Sequence, residues 1–206
     1  MPEGSASRAA LLALRRERRV IEEGHRFLDE RRVALAHELL RRAQAYAAHR
    51  VELLQRHAQA RRTLAEALGR HGLEGLQAYP PWTLAPVHPR RDEAPFLGIR
   101  LVTGVRVPLT ATGAAAVLPS SEAAHCAGAF RELAEGAAAL AGEVASLLRL
   151  VAEYRRTERR VRAIENIVLP EARADERRLE TGLEELDQEE VMRSRVFAAG
   201  DLGGAR

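Results

Sequence analysis

The chain has 206 residues, of which 46% are hydrophobic and 30% are charged. This composition excludes an intrinsically disordered protein, because such chains combine low hydrophobicity with high net charge. Aromatic residues make up only 4%, and Ala, Leu, Arg and Glu dominate, which favours long helices over a β-sandwich or β-barrel. The formal net charge of +3 is too small to indicate a nucleic-acid-binding protein by itself.

Cysteine content and hydropathy indicate the compartment. Cys126 is the only cysteine, which excludes an intrachain disulfide and a cysteine-based zinc site, and we expect it to be a packed, unreactive thiol. The N-terminal stretch has no apolar run of signal-peptide length, and Glu143 and Arg149 interrupt the Ala/Leu-rich region 136–152 before it could span a bilayer. We therefore expect a soluble, cytoplasmic protein.

The first predicted element is a long helix over residues 7–70. No proline occurs between Ser7 and Leu68, and apolar residues recur every seven positions, which is typical of a helix that presents one narrow seam to a partner. The seam then shifts by four residues near residue 37, the pattern of a stutter. The seam residues are Leu14, Ile21, Leu28 and Leu35, followed by Leu39, Tyr46, Leu53, Ala60 and Ala67.

Residues 71–120 are predicted to form a compact insert. Most of the nine prolines and several glycines lie here, so a continuous helix is excluded. Apolar residues alternate on both sides of Thr103-Gly104, which predicts a small β-hairpin over about residues 97–110 with its turn at this dipeptide. The alternating residues are Ile99, Leu101, Val105 and Val107.

A second long helix is predicted over residues 121–197, with a helix start at Ser120, Ser121 and Glu122. Its seam shifts by four residues close to Pro170, which would itself bend a helix. The seam residues are Leu133, Leu140, Leu147, Tyr154, Val161 and Val168, followed by Ala172, Leu179 and Leu186. The Gly-rich residues 198–206 are predicted to be a flexible tail.

Together these elements predict a mainly α protein, a long antiparallel two-helix coiled coil with a compact middle insert, because the chain must return along itself to bury both seams. Aligning the two stutters makes the numbers of facing residues add up to roughly 207, which places Leu28 opposite Leu179. The same alignment places the basic residues between Arg15 and Arg19 opposite the acidic run 184–190.

No nucleotide-binding or hydrolytic motif such as GxxxxGK[ST], GxSxG, HExxH or GxGxxG occurs, so we expect a non-catalytic protein without a cofactor or metal. The strongest basic feature is the arginine cluster between Arg155 and Arg162. This cluster fits either a solvated helix face or a phosphate-binding band, but aromatic residues that could stack on bases are not interleaved with it.

Two distant blocks, LLALRRERRVIEEGHRFLDERRVAL and TERRVRAIENIVLPEARADERRLETGLEELDQEEVMRSRVF, resemble the D subunit of the V/A-type (vacuolar/archaeal-type) rotary ATPases and ATP synthases. The resemblance covers essentially the whole chain, although Arg162 stands where the family usually has asparagine. The matching residues are Gly24, Leu28, Arg31, Arg32 and Leu35 in the first block, Gly104, Val107 and Pro108 in the insert, and Arg159, Arg160, Val161, Ala163, Ile164, Glu165, Val168 and Pro170 in the second block.

This resemblance implies a central-stalk rotor subunit that transmits torque between a catalytic head of A and B subunits and a membrane ring, coupling ATP synthesis or hydrolysis to proton or sodium transport. It also implies contacts with the small F subunit of the stalk and the C/d socket subunit, and a cytoplasmic location peripheral to the membrane without insertion into it. The end formed by Arg15–Arg19 and Leu186–Arg195 would bear on the head. The candidate partner contacts are Arg15, Arg16, Arg19, Gly24, Arg31, Arg32, Gly104, Pro108, Arg159, Arg160, Glu165, Arg193 and Arg195.

Two other classes of protein fit part of the pattern. A coiled-coil adaptor or scaffold protein of an unrelated assembly would show the same heptads, but it would not require the two blocks and the Gly-x-x-Val-Pro insert in this order. A basic nucleic-acid-binding coiled coil would bind with an affinity that falls steeply with salt.

Overall fold

In a computed structural model of the chain, residues 7–79, 82–83, 89–108, 110–111 and 119–203 are described, with backbone only for 82–83, 110–111 and 196–203. The mainly α fold with a small hairpin is confirmed. None of the described helices holds a stretch that is both long and apolar enough to cross a bilayer. The elements are α1 (Arg8–Gln77), β1 (Trp82–Thr83), β2 (Arg90–Phe96), β3 (Ile99–Arg106), β4 (Thr110–Ala111), α2 (Ser121–Ala163), a π-helical turn (Ile164–Val168) and α3 (Leu169–Gly203).

Helix α1 carries the predicted seam along its length. Every seam residue predicted on it is buried or half-buried, with Leu35, Ala60 and Ala67 fully buried. The helix continues past Gly69, and its backbone leaves the helical region only at Gly72 (φ 66°, ψ 175°). A positive φ is accessible to glycine without a steric penalty, so Gly72 marks the end of the regular helix.

The chain divides into two compact units. The insert unit comprises residues Ala34–Tyr154, and the terminal unit comprises Met1–Val33 together with Arg155–Arg206. Among the described residues, the insert unit contains parts of α1 and α2 together with the strands, and the terminal unit contains parts of α1 and α2 together with the π-helical turn and α3.

In the insert unit, α1 and α2 run antiparallel. Nδ1 of His49 lies 2.5 Å from Oε1 of Glu143, and Arg56 donates to the backbone carbonyl of Glu132 at 3.3 Å. Cys126 is buried in the same helix pair, and burial raises the pKa of its thiol, which agrees with the packed thiol expected from the sequence. The core cluster contains Leu35, Leu101 and Leu150, with Leu39, Phe96, Ile99 and Tyr154 packed around it.

The hairpin exists, but its turn lies elsewhere than predicted. β2 and β3 pair antiparallel from Arg90↔Arg106 to Phe96↔Ile99, and the turn residues Leu97 and Gly98 both have positive φ (47° and 79°), as type I′ hairpin turns require. The predicted turn at Thr103-Gly104 is wrong because this dipeptide lies inside β3. The polar and exposed β2 shows no apolar alternation, so the pattern of β3 alone resembled a complete hairpin.

Thr103 is the extra residue of a β-bulge. Asp92 pairs with Gly104, whereas the next residue, Glu93, pairs with Val102. The Thr103 hydroxyl donates to the backbone carbonyl of Asp92 at 3.1 Å. Leu101 and Val102 lie before this bulge and pair with the consecutive residues Ala94 and Glu93, and both are buried.

The start of α2 is built as predicted. The hydroxyl of Ser120 accepts a hydrogen bond from the backbone N–H of Ala123 at 3.3 Å, which is an N-cap. The carboxylate of Glu122 accepts hydrogen bonds from the hydroxyls of Ser120 (3.0 Å) and Ser121 (2.9 Å). The backbone N–H of Glu122 itself and these two hydroxyls lower the pKa of Glu122 from 4.5 to about 2.

In the terminal unit, ion pairs between α1 and α3 establish an antiparallel arrangement and its register. The residue numbers of three ion pairs each add up to 195, whereas the stutters predicted about 207. The predicted pairing of Leu28 with Leu179 is therefore wrong by about 12 residues, or about 18 Å along the helix axis. The three pairs are Arg8–Asp187, Arg15–Glu180 and Glu22–Arg173.

The π-helical turn explains this error. The N–H of Leu169 donates to the carbonyl of Ile164, five residues earlier, directly before Pro170, which has no N–H of its own. This wider turn adds one residue, so Leu169 is buried (8% exposed) whereas the predicted seam residue Val168 is 37% exposed. The discontinuity near residue 170 is real, but it is not a stutter equivalent to the one predicted near residue 37, so aligning the two gave a false register.

Two further expectations for α3 differ from the structure. The predicted seam residue Leu186 is 49% exposed, because it lies close to the level at which α1 begins. The backbone of residues 198–203, predicted as part of a flexible tail, is helical up to Gly203. Residues 204–206 lie outside the described residues.

We expect Glu122 to titrate near pH 2 in an NMR titration of its side-chain carboxyl carbon. Since the folded-state pKa lies below the ordinary 4.5, the carboxylate stabilises the start of α2 fully above about pH 4.5, and this contribution is lost as the pH falls through about 2. Ser121→Ala should move the midpoint upwards by removing one donor. A midpoint near 4.5 in the unsubstituted chain would contradict the hydrogen-bonded start described here.

Candidate functional site

The ion pairs of the terminal unit form a regular ladder. Arg8, Arg15 and Glu22 are spaced seven residues apart on α1, and their partners are spaced seven apart on α3. Each residue lies directly after a position that the heptad pattern assigns to the seam, so the ladder follows one edge of the apolar contact. Sliding one helix along the other would break all of these ion pairs together.

Glu176 joins this ladder to a second arginine. Its carboxylate accepts a hydrogen bond from Nε of Arg15 at 3.1 Å, and Nε of Arg18 lies 2.8 Å from its other oxygen. The side chain of Glu176 is only 12% exposed. Hydrogen bonds to Glu180 and Glu176 raise the pKa of Arg15 above its ordinary value. Arg15, predicted as a contact with a partner subunit, thus stabilises the pairing of α1 with α3.

The other arginines of this region point outward. Arg16 and Arg19 are exposed, and neither forms an ion pair with any residue that the structure describes. The acidic partners of Arg15 and Arg18 are Glu176 and Glu180, so the predicted pairing with the run 184–190 is wrong for the reason given for the register.

Arg159 and Arg160 lie on α2 between inward-facing neighbours. Thr157 and Val161 are buried, whereas both arginines are exposed and, within the described residues, unpaired. Glu165 is exposed on the π-helical turn. All three candidate residues are therefore exposed, and Glu165 lies on an irregular helical turn of a kind that is frequent at functional sites.

Two of the remaining helical candidates form ion pairs within their own helices. Arg32 pairs with Asp29 at 2.7 Å and Arg193 pairs with Glu189 at 3.2 Å. Arg31 is half-buried and Arg195 is exposed. A Cβ on Gly24 would meet nothing within 4 Å, so nothing in the structure requires glycine at this position.

The hairpin is held on α2 by a buried serine that the sequence analysis missed. The N–H of Val102 donates to the hydroxyl oxygen of Ser146 at 2.8 Å, and this hydroxyl donates to the carbonyl of Gly142 at 3.1 Å. Arg149 donates to the carbonyl of Arg100 at 2.6 Å and pairs with Glu93 at 3.1 Å. These contacts give β3 fixed backbone partners on the helix.

Gly142 permits this close approach. A Cβ at Gly142 would lie 2.6 Å from Cγ2 of Val105 and 3.0 Å from Cγ1 of Val102, which is closer than real contacts allow. The sequence signal for this contact is the glycine itself. Glycine is unfavourable inside an Ala/Leu-rich helix and often occurs there because a neighbouring element packs closely against the helix. The sequence could not show that the hairpin was the neighbour.

The predicted hairpin contacts lie beside this junction. Gly104 is half-buried in β3 opposite Asp92, and a Cβ there would lie 3.4 Å from Oδ2 of Asp92. Pro108 is exposed just after β3. Both residues belong to the insert unit, whereas Arg159, Arg160 and Glu165 belong to the terminal unit.

Comparison with known proteins identifies the family to which the chain belongs. The sequence profile of the ATP synthase D subunit matches residues 10–199. The chain belongs to the ATP synthase D-subunit family. It is 30% identical over 203 residues to the A-type ATP synthase D subunit of Pyrococcus furiosus, with 94% of this chain and 92% of that protein covered. It is 29% identical over 211 residues to the V-type ATP synthase D subunit of Anaeromyxobacter dehalogenans strain 2CP-1, with 97% of each covered.

Membership of this family confirms the resemblance drawn from the two terminal blocks and the insert. The match extends across both blocks and the hairpin, so the whole arrangement of helix, insert and returning helix belongs to the D-subunit family.

We expect Glu176→Gln to lower the free energy of unfolding by about 1 kcal/mol, the upper end for partly exposed ion pairs, because two guanidinium groups share this carboxylate. Glu184→Gln is the control, since Glu184 is an exposed acidic residue of the same helix. Chemical denaturation followed by circular dichroism measures both variants. Equal stability of the two variants would show that the contacts of Glu176 with Arg15 and Arg18 contribute nothing to the stability of the terminal unit.

We expect Gly142→Ala to destabilise the insert unit by about 1–3 kcal/mol, because the added methyl group overlaps the valines of β3. The control is Gly128→Ala on the same helix, where a Cβ meets nothing within 4 Å and where alanine should stabilise by up to about 1 kcal/mol. Hydrogen exchange at the N–H of Val102, together with denaturation, distinguishes loss of the hairpin contact from general unfolding. Stabilisation by both substitutions would contradict the close contact.

Proposed function

We propose that this D-family chain is the central-stalk rotor subunit of a V/A-type rotary ATPase or ATP synthase and transmits torque between the A/B head and the membrane ring. The observation that carries the proposal is the ion-pair ladder that locks two antiparallel helices in register, in a chain of this family. A torque-transmitting element needs resistance to sliding more than it needs a binding pocket. ATP hydrolysis in the head would turn the chain, or ion flow would turn it in the direction of synthesis.

The C-terminal end of α3 supports contact with the head. The ladder shows that Asp187 lies level with Arg8, the first residue of α1, so α3 continues to Gly203 beyond this level. Among the described residues, α1 does not extend beside this part of α3, and Val191 and Met192 expose apolar side chains there. A helix without a packing partner is only marginally stable in water. We assign this extension, with Arg193 and Arg195, to the cavity of the catalytic head, where the A and B subunits would cover it.

The outward-facing arginines are the proposed torque contacts. Arg16, Arg19, Arg159 and Arg160 are exposed without ion-pair partners among the described residues, so they are available to carboxylates of neighbouring subunits. A rotor must contact successive copies of the same subunit differently, because only a difference in interaction free energy shifts their conformational populations. Glu165 on the π-helical turn adds a charge of opposite sign to this surface.

The insert unit is assigned to the membrane side. Gly104 and Pro108 of the hairpin are the proposed contacts with the components linking the rotor to the membrane ring, including the C/d socket subunit, and the small F subunit of the stalk is a further proposed partner. The Ser146 hydroxyl and Gly142 fix the hairpin on α2, so a force on the hairpin reaches the helix through packed contacts. The chain itself would insert into no membrane and contact no nucleic acid, and the complex would place it at the cytoplasmic side.

We expect the purified chain to hydrolyse no ATP and to raise the turnover of a reconstituted A/B head, because its proposed role is to order the states of catalytic sites located in other subunits. A coupled ATPase assay with the chain alone, the head alone and both together measures this. A chain that hydrolyses ATP by itself would overturn the proposal. Failure to associate with a cognate head would favour a coiled-coil scaffold of another assembly.

We expect the double variant Arg159→Glu/Arg160→Glu to lower the stimulation of the head roughly fivefold or more, while thermal stability stays close to that of the unsubstituted chain. The reason is that the neighbouring buried residues, Thr157 and Val161, remain intact. Arg177→Glu, at another exposed arginine of the terminal unit, is the control. Parallel loss of helicity and stimulation in the double variant would assign the arginines to folding instead of torque.

A further inference from the structure

The seam of the returning helix changes its heptad phase at the π-helical turn. Before the turn, Thr157, Val161 and Ile164 are buried or half-buried, at the spacings of four and three residues that a heptad requires. The next seam residue is five positions on, whereas the heptad would place it at position 168. After the turn the spacings are again three and four, with the seam residues Leu169, Ala172, Glu176, Leu179 and Leu183 all buried or half-buried. The turn therefore holds one residue more than the heptad count.

Without this extra residue, α3 would direct charged side chains towards α1. A regular heptad continued from Ile164 would place Val168 in the seam and then the residues Glu171, Asp175, Arg178, Gly182 and Glu185. The four charged residues of this set are all exposed in the structure. Burying charges that have no partner is costly, so the sequence of α3 fits the phase that follows the turn and not the phase that precedes it.

The ion-pair ladder depends on the same phase. Its three partners on α3 each follow a seam position directly. In an uninterrupted heptad, the corresponding positions would be occupied by the residues one place earlier, none of which carries a charge. One residue corresponds to a rotation of about 100° around the helix axis, so the turn rotates the charged edge of α3 towards its partners on α1. The uncharged residues are Ala172, Leu179 and Leu186.

Pro170 favours an irregular turn but does not account for the change of phase. Proline removes one backbone donor and acts on the preceding turn of its own helix, whereas the seam pattern extends over several turns on both sides. The N–H of Leu169 donates to the carbonyl of Ile164. If one residue between these two were removed, the same two groups would lie four positions apart and would form an ordinary α-helical hydrogen bond. The number of residues therefore decides whether the turn is needed.

We infer that the π-helical turn is a phase-setting device, which rotates α3 by about one residue into the one setting where its seam is apolar and its charged edge meets α1. The ladder opposes sliding of the helices along each other. This setting opposes rotation of α3 about its own axis, because any other setting buries charges and breaks the ladder. Resistance to such rotation is a second property that torque transmission needs, and this consequence alone rests on the proposed function.

The test uses the full chain with Pro170→Ala, which removes the proline as a cause of the turn. We expect this variant to melt no lower than the unsubstituted chain. In the same background, deletion of Val168 should make the helix regular and leave the melting temperature within about 3 °C. The ladder is monitored by Glu180→Gln, which should lower the melting temperature of each of these chains by a similar amount, and should have no effect once Arg15→Gln is present. Thermal denaturation followed by circular dichroism measures all variants.

The matched control is deletion of Asp175, an exposed residue of the same helix at a place where the heptad has no extra residue. We expect it to lower the melting temperature by about 5 °C or more, because either Leu179 or Leu169 must leave the seam. An alanine inserted between Ile167 and Val168 adds a second extra residue and should have the same effect.

Three results would overturn the inference. They are equal losses from the two deletions, loss of the Glu180→Gln effect in the Pro170→Ala chain or after deletion of Val168, and an insertion variant as stable as its parent. All measurements use the chain without the catalytic head, so they remain decisive even if the chain fails to stimulate a head.

Discussion

The structure depends on the narrow apolar contact between antiparallel helices. In the terminal unit no third element covers it among the described residues, so few side chains, such as Val161 and Leu169, are buried there. A contact this narrow leaves the axial position of the helices weakly determined, because each heptad resembles the next. The ion-pair ladder from Arg8 to Glu22 supplies the missing specificity, since the charges match at one register only. Individually such pairs contribute little, but their regular spacing makes any shift costly.

Pro170 has the largest local effect on this contact. It removes one backbone donor, and the helix accommodates the loss through a π-helical turn that rotates the following residues by about one position. The buried position passes from Val168 to Leu169, and Ile167 and Val168 are left exposed next to the charged residues of the second family block. The irregular turn therefore directs side chains outward at a place where a regular coiled coil would bury one of them.

The insert unit has two sides of opposite character. The hairpin side is polar and specific: the Ser146 hydroxyl satisfies the backbone of β3, and Gly142 provides the room for it. The opposite side of α1 and α2 exposes apolar side chains, among them Leu54 and Leu148. The hairpin thus covers one side of the helix pair, and large apolar side chains are left exposed on the other.

Much of this protein was determined by sequence alone. Heptad spacing identified the helices and nearly every seam residue of α1, the Ser120 cap marked the start of α2, and the terminal blocks indicated the family, because these signals are local or repeat along the chain. The register, the turn at Leu97-Gly98 and the role of Ser146 were decided only by tertiary structure. A heptad pattern repeats every seven residues and so fits several registers, an exposed strand such as β2 leaves no apolar pattern, and a buried serine becomes informative only once the backbone group that it satisfies is known.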